Sequence, residues 1–421
     1  MNITLSVNGV SRSLECLPHE SLRTVLRRAG YHSVRFGSHT GETGAAAVLV
    51  DGRLISADVM LACQAEGHGI ETVEGLAVPG EMHPIQQAFI DAGAIQSGYS
   101  TPAAVLATKA LIASNPHPSE DDVRDALSGI LDRETGYLRP VHAVLRVAAL
   151  MRGDEPDDID VAHLDALDGS DATHTDRDGL GDIAPRVVLS SDVPETRVVG
   201  KPETKTDAIK LAKGNPAFTD DVDLTNVLIA KVLYSPHAHA HIVNIDDTAA
   251  RSLPGVHAVL HHRNVPRIRY ASGGQSYPNP LPYDQVSFDN KVRYVGDRVA
   301  AVAADTEEIA REALSLLDIT YDVLPAVFDE NEAIAEGAPV IHDETDMSGA
   351  HDASRNIVHH LKADTGDIEA GIAAADRVFE QTFRVHQVQQ TPIEPHIAIA
   401  AWDSDERLVI TSSTQVPFHV R

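Results

Sequence analysis

The chain has 421 residues, a hydrophobic fraction of 43% and a formal net charge of -28, which fits several globular domains and excludes the basic face that nucleic acids require. No run nears the ~20 apolar residues of a membrane span, and MNITLSVNGV has no basic stretch ahead of an apolar core, so a cytoplasmic protein is expected. The two cysteines, Cys16 and Cys63, exclude a disulfide framework and a four-thiolate metal site within the chain.

Residues 1–76 read as a small mixed domain. ITLSVNG and RSLECL alternate around an Asn8-Gly9 turn, the pattern of a hairpin. SLRTVLRRAG has helical spacing and a glycine stop. AAAVLVDGRLIS reads as a second strand pair around Asp51-Gly52, and ADVMLACQAEG as a short helix. Between these elements lies GSHTGETG, whose glycines 37, 41 and 44 suit a backbone that turns tightly around something.

Residues 77–151 carry helical apolar spacing in HPIQQAFIDAG, TPAAVLATKALIAS, SEDDVRDALSGIL and LRPVHAVLRVAALM, which predicts four helices. Ser119 with Asp122 forms a helix-start signal. Residues 152–196 are rich in Asp, Gly, Ser and Pro and read as an acidic linker. Residues 197–345 read as an α/β unit, with strands in TNVLIAKVLY, VRYVGDRVAAVAA and LDITYDVL and a helix in EEIAREALSLL. Residues 346–421 end at STQVPFHVR, directly after a strand, with no terminal helix; the reading is a domain that is incomplete. The fold class is α+β and multidomain.

Particular motifs complete the picture. TGETGAAAVLVDG and VEGL, then HPIQQAFIDAGAIQSGYSTPAAVLATKALI and ALSGILDRETGY, resemble the iron–sulfur part of the xanthine dehydrogenase and aldehyde oxidase family of molybdenum hydroxylases. GKPETKTDAIKLAKGNPAFTDD, SPHAHAHIVNID and VRYVGDRVAAVAADTEEIAREAL are similar to the start of that family's catalytic subunit and its α/β hammerhead domain. IEPHIAIAAWD and STQVPFHVR resemble the start of its molybdopterin-binding domain. The resemblance implies a β-grasp ferredoxin-like domain, a four-helix domain, a hammerhead and the beginning of a cofactor domain. Within the family the chain looks most like a cysteine-poor, selenium-linked branch.

The resemblance also implies two [2Fe–2S] clusters on eight cysteines, and all eight are replaced. The first set of positions holds Ser38, Thr43, Ala46 and Asp58; the second holds Ser97, Ser100, Asp132 and Glu134. Iron–sulfur clusters need soft thiolates, so both clusters are expected to be absent. The second set offers oxygen ligands for a hard cation, but a hydrogen-bonded polar plug, with Arg133 nearby, is the stronger reading. A phosphate nest in the first loop lacks the P-loop lysine.

His237, His239 and His241 alternate, so a strand would put three imidazoles on one face, though a structural role is favoured over zinc. Glu394 and His396 precede IAIAA as an ordinary structural pair. Gln415 matches a family glutamine near the molybdenum. The family's glycine-rich cofactor loop, expected roughly 25–35 residues later, and its general-base glutamate lie outside this sequence. The chain is therefore expected to be the N-terminal portion or split subunit of a molybdopterin-dependent hydroxylase of purines or other N-heterocycles. It would not be catalytic alone, and would need a C-terminal molybdopterin-domain polypeptide and an electron-transfer partner. The alternative is a non-catalytic scaffold or interaction protein, or a truncated gene product.

Overall fold

A computed structural model describes residues 1–78, 80–132, 138–155, 197–198, 203–222, 224–272 and 280–420. Most of the expected linker, residues 156–196, and the former ligand position Glu134 with its neighbour Arg133 lie outside the described residues. The chain forms two units: Met1–Val222 with His386–Ser413, and Asp223–Val385 with Thr414–Arg421. Segment 346–421 is thus divided between them.

In the first unit, β1 (Asn2–Val7) alternates exposed and buried residues, placing Ile3, Leu5 and Val7 in the core. It turns through Asn8 and Gly9, both at positive φ, into β2 (Val10–Glu15). Strands β3 (Ala47–Val50), β4 (Arg53–Ser56) and β5 (Gly69–Glu71) complete a sheet of order β2-β1-β5-β3-β4, with β1 and β5 parallel. Helix α1 (Leu22–Arg28) covers it, capped by Ser21, whose hydroxyl accepts from the Thr24 amide. This is the expected β-grasp arrangement.

ADVMLACQAEG departs from expectation. Only Ala62–Ala65 is helical, and as a single 3-10 turn. The backbone around it is committed elsewhere: the Leu22 amide donates to Met60 O and the Ala62 amide to Glu20 O. Those bonds, with the Val59 and Met60 amides turned back to Ser56 O, stitch the segment to the start of α1 and hold its backbone out of a longer helix.

Four helices follow: α2 (Pro84–Asp91), α3 (Thr101–Ser114), α4 (Glu120–Leu127) and α5 (Leu138–Arg152). Ser119 and Asp122 form the capping box read from the sequence. Phe89, Leu106, Val144 and Val147 build the core, and the short helix Ala208–Ala212 adds Ala208, Leu211 and Ala212 to it. Strands β12 and β13, given below, also belong to this unit.

In the second unit β6 (Ile229–Tyr234), β10 (Arg298–Ala304) and β8 (Val256–His261) form one antiparallel sheet. A second has the order β11-β7-β9, from Asp318–Val323, Ala240–Asp246 and Lys291–Val292. Helix Glu307–Ser315 packs on the first. Residues 375–385 have no regular structure and leave Phe379, Phe383 and Val385 exposed.

The hairpin of β12 (Ala398–Trp402) and β13 (Leu408–Ser412) belongs to the first unit and exposes Trp402. Pro417–Val420 is a helical turn, where the sequence predicts none; proline suits a first helical position because its missing N–H has no helical partner to lose. Among the described residues no helix is long and apolar enough to cross a membrane.

Candidate cofactor loops

Loop 37–46 is closed by its own residues. A Cβ on Gly37 would stand 1.8 Å from the Thr43 hydroxyl, so Thr43 packs where any larger residue at 37 would go. The Ser38 hydroxyl accepts from the Gly41 amide at 2.8 Å. Ala46 is fully buried in the β-grasp core, and its carbonyl accepts from the Ala57 amide at 3.0 Å. Asp58, the fourth position, has a side chain only 1% exposed and meets Arg23 Nε at 2.7 Å. Among the described residues no backbone amide donates to Asp58, so the buried carboxylate rests mainly on Arg23. Burial pushes the Asp58 carboxyl up, and Arg23 only partly offsets it.

The second set is partly described. Ser100 is buried and its hydroxyl donates to Asp132 Oδ2 at 3.2 Å. The Ser97 hydroxyl accepts from the Tyr99 amide at 3.1 Å. Two of the positions read from the sequence, Ser100 and Asp132, thus pair with each other. The two loops also meet: Leu131 N donates to Thr43 O at 2.9 Å, and a Cβ on Gly44 would lie 2.0 Å from Gly129 O, which fixes glycine there.

Behind the loops sits a second buried ion pair that the sequence reading missed. Arg35 and Asp221 each have side chains 1% exposed, and Arg35 Nη1 donates to Asp221 Oδ2. Asp221 also accepts from the Ala217 and Phe218 amides at 2.9 and 3.0 Å and from Arg27 at 3.1 Å. Burial alone would raise its pKa, but Arg35 and those amides hold it below the ordinary carboxylate value. The Arg35 guanidinium lies 4.5 Å above the Phe218 ring, which meets Tyr99 edge-on. Ala45, Tyr99 and Ile393 form a small apolar cluster against Phe218, so the junction joins both loops, the 203–222 segment and the start of the β12–β13 region. Burial raises the pKa of the neighbouring, half-buried Glu394.

The remaining sequence candidates do not assemble a site. The three histidines are not on one strand face, because β7 begins only at Ala240. Ser235 Oγ accepts from the His237 amide and donates to the His237 carbonyl, holding a turn, while His239 Nδ1 lies 2.6 Å from Pro325 O. His237 instead stacks edge-on against Tyr321. Among the described residues no group of His, Cys, Asp and Glu is placed to hold a metal ion. Gln415 lies exposed in the bend before Pro417–Val420. A cleft of about 850 Å³ in the second unit is lined by charged groups already paired with one another, among them Arg293 with Asp289 and Glu344, and Lys291 with Asp343.

A [2Fe–2S] cluster does not fit the first loop. Its four positions supply two hydroxyls engaged in packing, a methyl in the core and a carboxylate facing a cation. Sulfide-bridged iron clusters are held by soft thiolates, and none is present there. The described part of the second set, two hydroxyls and a carboxylate, is equally hard in character.

Three family models match: "[2Fe-2S] binding domain" over residues 72–145, "Aldehyde oxidase and xanthine dehydrogenase, a/b hammerhead domain" over 213–325, and "Molybdopterin cofactor-binding domain" over 350–421. The chain is 36% identical to the probable hypoxanthine oxidase XdhD of Escherichia coli K12, over all of this chain and 44% of that protein. It is 41% identical to the nicotinate dehydrogenase small FeS subunit of Eubacterium barkeri, over 35% of this chain and 94% of that subunit. The solved aldehyde oxidoreductase of Desulfovibrio gigas superposes with a TM-score of 0.78 at 28% identity, covering 98% of this chain and 43% of that one. The chain thus spans less than half the length of the relatives it matches from end to end.

Proposed function

This chain belongs to the xanthine dehydrogenase and aldehyde oxidase family of molybdenum hydroxylases, and from that premise we propose that it supplies the cluster-free scaffold of a molybdopterin-dependent oxidoreductase. Its relatives include proteins whose iron–sulfur part is a separate small subunit. The observation that carries the cluster-free reading is the first loop, where Asp58 faces Arg23 and Ala46 is sealed in the core. In the assembled enzyme, molybdopterin would supply the redox chemistry, hydroxylating a carbon of a purine or other N-heterocycle. The sequence that holds most of it lies beyond the region matched here, in the same or another polypeptide. Gln415 would face the molybdenum. Electrons would leave through a partner rather than through this chain, and the assembly would work in the cytoplasm.

Purification of the full chain with its associated polypeptides, followed by metal analysis and a heterocycle hydroxylation assay, tests this. Molybdenum without iron, with hydroxylation, is expected. Stoichiometric iron and sulfide would overturn the cluster-free reading. A complex with neither molybdenum nor hydroxylase activity would leave the non-catalytic scaffold as the better account.

A further inference from the structure

We propose that Arg23 is the structural successor of the first cluster: its guanidinium, paired with Asp58 over the Phe36 ring, stands in the place such a cluster would need and keeps it closed to metal. The inference rests on the cluster-free reading and adds to it a named occupant.

Placement carries the argument. The Arg23 amide donates to Ala57 O, and the Ala57 amide donates to Ala46 O, both at 3.0 Å. The start of α1 is therefore tied through Ala57 to the third position, just before β3, and to the fourth, just after β4. From there the side chain runs inward and is 16% exposed. Its Nε reaches Asp58 at 2.7 Å, and its guanidinium lies 4.6 Å above the ring of Phe36, two residues before the first former position. The His39 ring, one residue after that position, lies tilted at 5.0 Å from the Phe36 ring. The cation thus sits between the fourth position and a ring two residues before the first.

The chemistry of the surroundings agrees. The Asp58 side chain is 1% exposed, and Ser56 Oγ, two residues before it, is buried without a hydrogen-bond partner. Such polar groups cost free energy to bury unless paired. They line the place where a charged, inorganic object once needed polar walls, and Arg23 now neutralises Asp58 there. Space filled by the guanidinium is space a cluster cannot take, so cysteines alone would not reopen the site.

Three forms of the full chain test this, reconstituted anaerobically with ferrous iron and sulfide: the unaltered chain, a variant with Ser38→Cys, Thr43→Cys, Ala46→Cys and Asp58→Cys, and the same variant with Arg23→Leu added. The readouts are visible absorption and iron content. The four-cysteine form is expected to stay at the baseline of the unaltered chain, and the form lacking Arg23 to take up about two irons per chain. Equal loading of both cysteine forms, or loading of neither, overturns the role of Arg23 while the unaltered chain stays iron-free; iron in the unaltered chain overturns the cluster-free reading instead. Should circular dichroism show that the cysteine forms do not fold, a cycle in the unaltered background decides. Arg23→Leu should lower the denaturant midpoint, and Arg23→Leu with Asp58→Leu should recover most of the loss. No loss in the single variant, or no recovery in the double, overturns the proposal.

Discussion

Two buried arginine–aspartate pairs lie in the same unit, and they are opposites. Asp58 and Asp221 both have side chains 1% exposed, and each faces an arginine whose guanidinium stands over a phenylalanine ring, at 4.6 Å for Arg23 and 4.5 Å for Arg35. Yet burial leaves the Asp58 carboxyl above its ordinary value, while Asp221 is held below it. The rings and the burial are matched, so neither explains the difference. What differs is hydrogen bonding. Asp221 accepts from two backbone amides and a second arginine; Asp58 has Arg23 and, among the described residues, no backbone donor. A buried charge is stabilised when its lone pairs are satisfied, not merely when an opposite charge is near. One pair belongs to a joint built to hold a charge. The other rests mainly on a single cation.

The sharpest way to break this comparison is to remove one charge from each pair. Asp221→Asn should destabilise the full chain by about 3–5 kcal/mol, because it leaves Arg35 buried without a countercharge. Asp58→Asn should cost no more than about 1 kcal/mol, since burial already disfavours the charged form it removes. Equilibrium denaturant unfolding of both variants measures this. An Asp58 variant as damaging as the Asp221 variant would show that the two pairs are energetically alike.

The sequence made one pair half visible and hid the other. Asp58 could be placed because a motif with fixed spacing counts to it, and the β-grasp and four-helix elements could be placed because periodicity and turns are local signals. Arg23 was hidden by its position beside Leu22, Val25 and Leu26 on a helix whose surface positions also carry arginine; no local pattern says which arginine turns inward. Arg35 and Asp221 are 186 residues apart, and pairing across such a distance leaves no trace in one sequence. The histidine alternation misled because a period of two was read as a strand when Ser235 had already set a turn. The length of ADVMLACQAEG as a helix was misjudged for a related reason: the Ala62 amide and the Met60 carbonyl are bonded to the start of α1.

Titration sharpens the contrast by sign. The raised Asp58 carboxyl contributes most below its unfolded value of 3.8 and loses that contribution as pH rises through its folded value. Wild type should therefore gain stability relative to Asp58→Asn as pH falls from neutrality. The lowered Asp221 carboxyl works the other way: its contribution is full above 3.8 and fades as pH falls through its folded value. The advantage of wild type over Asp221→Asn should hold from neutrality down to about that pH and shrink below it. Unfolding midpoints of the three proteins across the range give both curves, and parallel curves would contradict the opposite shifts.

The smallest effect concerns the ring under the weaker pair. Phe36→Leu removes the aromatic face beneath Arg23 but keeps an apolar side chain of similar bulk. A guanidinium over a phenylalanine is worth about 0.5–1 kcal/mol at partly exposed sites, so the loss should be of that size. Its value lies in what else it moves. Arg23 is steadied by only two groups, the ring and Asp58, so losing the ring should loosen the ion pair and push the Asp58 carboxyl still higher. The pH at which wild type begins to gain on Asp58→Asn should then rise when both carry Phe36→Leu. The parallel change at the other pair, Phe218→Leu, should leave the Asp221 curve in place, because the backbone amides and Arg27 still hold that carboxylate when the ring is gone. It will cost stability through lost packing on Tyr99, but without a pH shift. A shift at Asp221 as large as that at Asp58 would mean that the rings, and not the backbone donors, set the two carboxyls apart.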